Sequence, residues 1–169
     1  MAVRRLRTRG RVVIAVLAII AGMGASVVTA HAAGQNWSGR FTVVTYASQK
    51  AGTSAAARQA EPDFSAQYTF LTQCSSRCVA TALDGPAPSN PTIPQPSRYT
   101  WDGSQWTFAY DWQWECYHSE GAPRLYSPAQ SWVFYTPQAD GSLQGTWHTD
   151  ILSGACRGNV IMPVAAYPA

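Results

Sequence analysis

The run Trp106-Thr107-Phe108-Ala109-Tyr110-Asp111-Trp112-Gln113-Trp114-Glu115-Cys116 decides the fold. Every second residue is apolar, which is the period of a β-strand with one aromatic face and one face for water. Five large rings, Trp106, Phe108, Tyr110, Trp112 and Trp114, thus stand on one side of a sheet. Rings of this size bury about 150–250 Å² each, so together they offer on the order of 1,000 Å². The largest apolar patch on an ordinary soluble monomer is about 300–600 Å². A core, a ligand or a partner must cover the stripe.

Upstream, Tyr99-Thr100-Trp101 runs into Asp102-Gly103. That dipeptide accepts the positive φ of a type I′ turn, so the aromatic strand reads as the return arm of a hairpin. Phe64, Ala66, Tyr68 and Phe70 alternate with Ser65, Gln67 and Thr69 on the way to Cys74, and residues 78–83 form the partner strand. Residues 41–46 are β-branched and aromatic, suited to a first strand. The alanine-rich stretch 50–63 reads either as a loop or as a short helical turn over 55–60, capped by Ser54 and stopped by Pro62.

Downstream, residues 131–135 form a further strand and Asp140-Gly141 marks a second hairpin turn. Leu143, Gly145, Trp147, Thr149 and Ile151 then share one face, with Gln144, Thr146, His148 and Asp150 on the other. Residues 156–164 make the last strand, and 167–169 a frayed end. Residues 84–98 hold Pro86, Pro88, Pro91, Pro94 and Pro96, whose missing N–H groups exclude helix and central strand, leaving an extended surface loop that acts as a rigid connector. About eight meandering strands predict an all-β fold, an antiparallel β-barrel, with a two-sheet β-sandwich as the alternative.

The first eleven residues carry five arginines and precede an apolar run that ends at Ala30-His31-Ala32. This is the layout of a secretory signal peptide over 1–32, leaving a single secreted domain over 33–169; an uncleaved anchor is the other reading of the same run. Five of the twelve basic residues lie in that leader and all nine acidic residues lie beyond it, so the domain carries seven basic against nine acidic residues. With no basic excess, nucleic acid is excluded as a partner. The membrane enters only through the export signal.

Cys74, Cys78, Cys116 and Cys156 are an even set in an exported chain, which predicts two disulfides. Of the three pairings, Cys74 with Cys78 and Cys116 with Cys156 is favoured, because Ser75-Ser76-Arg77 suits a hairpin loop. The spacing lacks a second matching pair, so no metal or other cofactor is expected.

Paired acids are the first catalytic candidates. Asp111 and Glu115 share a face but stand about 13 Å apart along a strand, beyond the ~5–9.5 Å of glycoside hydrolysis. His148 and Asp150, two apart on one face, suit an oriented imidazole, as do His118 and Glu120. These residues, with Glu115, define the enzymatic alternative, a hydrolase acting on envelope polysaccharide. No G-x-S-x-G, H-E-x-x-H or phosphate-binding Gly-Lys-Ser/Thr sequence accompanies them. The rings of Trp106, Phe108, Tyr110, Trp112 and Trp114 are the candidate ligand-binding residues, since aromatic side chains wall apolar pockets.

The motifs Cys74-Ser75-Ser76-Arg77-Cys78-Val79-Ala80-Thr81, Asn90-Pro91-Thr92-Ile93-Pro94, Tyr99-Thr100-Trp101-Asp102-Gly103 and 141–147 resemble those of small secreted proteins of mycobacteria and related actinomycetes. The resemblance implies an exported bacterial protein, outside the membrane or in the cell envelope, and transfers no catalytic residue. Asn36-Trp37-Ser38-Gly39 is similar to the G-x-W motif of lipocalins, with Gly34 three places before Trp37 rather than two, a fold analogy only. The leading expectation is a non-enzymatic secreted barrel that binds a small apolar or amphipathic ligand, such as an envelope lipid, or a protein partner. A structural or host-interaction protein without a pocket is the third reading.

Overall fold

The computed structural model describes residues 35–169, and its strands are β1 Gly39–Thr45, β2 Phe64–Cys74, β3 Cys78–Ala82, β4 Arg98–Trp101, β5 Trp106–Cys116, β6 Leu125–Pro137, β7 Leu143–Ile151 and β8 Gly158–Pro168. Each pairs antiparallel with the next, and β8 returns to β1 to close an eight-stranded barrel. The leader read over 1–32, with its cleavage site, lies outside the described residues, as does Gly34.

Closure turns the aromatic face of β5 inward. The ladder to β6 explains how five large rings fit there: inward-facing Trp114, Trp112 and Tyr110 stand opposite Ser127, Ala129 and Ser131, all buried. Large residues on one strand are matched by small ones on its neighbour. This also corrects the reading of β6, which extends well beyond 131–135. Pro128 interrupts the strand signal over residues 125–130, and the ladder to β5 holds this stretch in the sheet.

The hairpin turns are not type I′. Among the described residues none other than glycine has positive φ; in the two turns only Gly103 (+112°) and Gly141 (+83°) do. The aspartates organise the chain through their side chains instead. Asp102 Oδ1 accepts from the Ser104 and Gln105 N–H groups and the Ser104 hydroxyl, and Asp140 Oδ1 accepts from the Ser142 N–H and hydroxyl. The repeated Asp-Gly-Ser is thus a repeated side-chain-built turn.

Ser54 caps a 3-10 turn over Ala55–Arg58 by accepting from the Ala56 N–H. The last strand runs to Pro168 rather than stopping at 164, and the Ala169 N–H donates to the Arg40 carbonyl, so the end is paired rather than frayed. Both disulfides join the favoured partners, Cys74–Cys78 and Cys116–Cys156. With every cysteine oxidised, the domain fits an extracellular compartment. No helix among the described residues is long and apolar enough to cross a membrane.

Two clusters pack the two ends of the barrel. At the end bearing the 102–105 and 138–142 turns, Trp37 packs with Phe41, Phe70, Tyr99, Trp106 and Tyr135. At the other end, Ala47, Ala56 and Ala57 cover the Cys116–Cys156 bridge with Ile151, Val160 and Met162. Trp147 packs against both.

Candidate ligand cavity beneath the proline-rich loop

The strands next to β5 are too short to pair all of it. β4 reaches only Trp106 and Thr107, and β3 pairs β2 only over Phe70 to Cys74. A slot therefore opens between β2 up to Thr69 and β5 from Phe108 onward, and residues 83–97 span it. The proline-rich stretch is a cover, not merely a connector.

Side chains clip the cover to both rims. On the β2 rim, the Leu83 N–H donates to the Thr69 carbonyl at 2.8 Å, and the Asp84 carboxylate accepts from the Thr69 N–H and hydroxyl. On the β5 rim, the Gln113 N–H donates to Thr92 Oγ1 at 3.0 Å, Thr92 Oγ1 donates to Asn90 Oδ1, and Asn90 Nδ2 donates to the Gln113 carbonyl at 2.7 Å. These contacts satisfy edge groups that a full-length neighbouring strand would otherwise satisfy. Gly85 lies on the Tyr68 ring, where an added Cβ would stand 2.2 Å from a ring carbon.

Beneath the cover is a cavity of about 230 Å³. Pro86, Pro88 and Ile93 form its roof, half-exposed Phe64 its rim, and Val43, Val133 and Val164 part of its walls. Tyr68, Tyr99, Phe108, Tyr110, Tyr135 and Trp147 supply its rings. No lining residue carries a formal charge. Burial raises all four phenols above their ordinary pKa, Tyr99 further through the neighbouring phenols of Tyr135, Tyr110 and Tyr68. The four therefore remain neutral O–H groups around a shared space.

Of the five rings singled out in the sequence, Phe108 and Tyr110 line this cavity. Trp106 is fully buried in the end cluster. Trp114 packs in the opposite cluster, and Trp112 lies against it with ring centroids 5.4 Å apart. Trp112 Nε1 donates to Ser131 Oγ at 2.9 Å, and Ser131 shares a hydrogen bond with Thr149 at 2.7 Å. Sequence reasoning passed over Tyr68, Tyr99, Tyr135 and Trp147 because each lies on a different strand; their common inward phase was the available signal.

His148, Asp150 and Glu115 are on the outer wall, whereas His118 and Glu120 lie in the connection between β5 and β6. His148 Nε2 meets Asp150 Oδ1 at 2.8 Å, under the edge of Trp132, and Glu115 Oε2 accepts from Arg124 at 3.0 Å. Glu115 pairs with Tyr126 and Asp150 with Gln130, so two strand spacings and four residues of β6 separate the acids, roughly 16 Å. That exceeds the separation two carboxylates need to act on one glycosidic bond. No group of three or more His, Cys, Asp or Glu side chains suited to a metal occurs among the described residues.

No protein-family model matches the chain, and no curated protein is significantly similar to it. Among solved structures, the monomer form of the PknI sensor domain of Mycobacterium tuberculosis aligns with a TM-score of 0.57 at 16% identity, over 79% of this chain and 88% of that one. The dimer form of the same domain gives 0.49 at 23% identity, over 64% and 73%. At this identity the likeness to the monomer form is one of fold.

Proposed function

We propose that this barrel is a non-enzymatic binding or sensing module that takes a small apolar or amphipathic molecule beneath the 83–97 cover. The observation that carries the reading is the uncharged, ring-lined cavity of about 230 Å³ under a loop clipped to both rims. An apolar cavity of about 150 Å³ takes benzene, so by proportion this one takes about nine non-hydrogen atoms, a small molecule or one end of a lipid chain. The sensor-domain likeness supports a binding role through fold alone.

Ala66 lines the cavity from β2, so Ala66→Phe puts a ring where the guest would sit. Protein secreted from a mycobacterial host is expected to carry a small apolar compound in native mass spectrometry, and Ala66→Phe to lose it with far-UV circular dichroism unchanged. The reading fails if the wild type carries nothing and its tryptophan emission does not move on adding envelope lipid extract.

A further inference from the structure

We infer that the guest is uncharged and presents a hydrogen-bond acceptor, a ketone, ester or ether oxygen, to the hydroxyls of Tyr99 and Tyr135 on the cavity wall. The inference rests on the binding role proposed above and names the chemistry of what binds.

Three observations carry it. First, Tyr99 and Tyr135 are 9% and 2% exposed and line the cavity, yet their hydroxyls find no hydrogen-bond partner among the described residues. Second, the Tyr99 and Tyr135 rings meet edge to face with centroids 5.7 Å apart, so the two phenols belong to one stretch of the cavity wall. A polar group that faces such a space without a partner costs stability, and a phenol hydroxyl is met by a guest oxygen that accepts from it. Third, the lining has neither cation nor anion. A carboxylate or an ammonium would lose its hydration with no opposite charge in return. A pure hydrocarbon would fill the space and leave the donors unmet.

Acetophenone, isopropylbenzene and benzoate are nearly equal in size and differ in just this respect. Titrated into the full secreted protein and followed by calorimetry, acetophenone is expected to bind more tightly than isopropylbenzene, and benzoate at pH 7 not to bind. Tyr135→Phe and Tyr99→Phe should each weaken acetophenone roughly tenfold, the upper end for one neutral hydrogen bond, and leave isopropylbenzene within about twofold. Either variant decides the test if the other misfolds. Equal losses for both neutral probes, or benzoate binding as tightly as acetophenone, would overturn the inference while the binding role stands. No binding by any of the three would remove the binding role with it.

Discussion

Trp37 lies outside every strand and yet occupies the deepest position at its end of the barrel, 1% exposed. Its backbone is pinned by one hydroxyl: the Trp37 N–H donates to Thr72 Oγ1 at 2.9 Å, and the same oxygen donates to the Trp37 carbonyl at 2.8 Å. The ring stacks on Phe70 at 4.2 Å and meets Tyr99 and Tyr135 at 4.8 and 5.0 Å. Truncating such a residue loses both its transfer energy and its packing, so Trp37→Ala is expected to cost about 3–5 kcal/mol in urea unfolding. Trp37→Phe should cost less, because the indole N–H has no partner to lose. A loss below about 1 kcal/mol for the alanine variant would show that the ring does not close the barrel. Nothing in the periodicity marks this residue, since a side chain that precedes its strand has no phase to read.

The cover over the cavity depends on a titrating group. Hydrogen bonds from the Thr69 backbone and hydroxyl, with help from the charge of Arg40, hold the Asp84 carboxyl below its ordinary value of 3.8. A carboxyl depressed in the folded state stabilises it fully above the unfolded pKa, and that contribution is lost as pH falls through the folded pKa. The cover should therefore stay clipped at neutral pH and loosen below about pH 3.8. Acrylamide quenching of tryptophan is expected to rise on acidification below that point. Asp102 and Asp140 are depressed in the same direction by their turn contacts, so Asp84→Asn separates the effects: quenching near its acid-form level at neutral pH, with a smaller further rise in acid. An identical acid profile in wild type and variant would show that Asp84 does not hold the cover. The strands themselves were legible because alternation in a half-buried strand is dictated by geometry. The turn type was not, because an aspartate side chain took the place of backbone conformation. The cover was not either, because proline content says that a segment cannot join a sheet but not what it lies across.

For the molecule as a whole, the barrel and its disulfides follow from local rules, whereas the cavity depends on the mismatch in length between β3–β4 and their neighbours. No single segment reports that mismatch. The two bridges act at different levels of this architecture. Cys74–Cys78 joins residues already paired in the β2–β3 ladder, so it closes a small ring and adds little to what the ladder fixes. Cys116–Cys156 spans a sequence separation of 40, tying the end of β5 to the approach to β8. Both of its cysteines are buried in the cluster that seals the end opposite Trp37. The chain-entropy relation gives about 2 kcal/mol for the small ring and about 4 kcal/mol for the large one. Replacing the buried pair by alanine also leaves a void, which adds to the larger loss. In guanidinium unfolding, the Cys116→Ala, Cys156→Ala double variant is expected to lose about twice the stability of the Cys74→Ala, Cys78→Ala variant, or more. If the two lose equally, ring size does not govern, and the end of β5 must be held by its ladder to β6 alone.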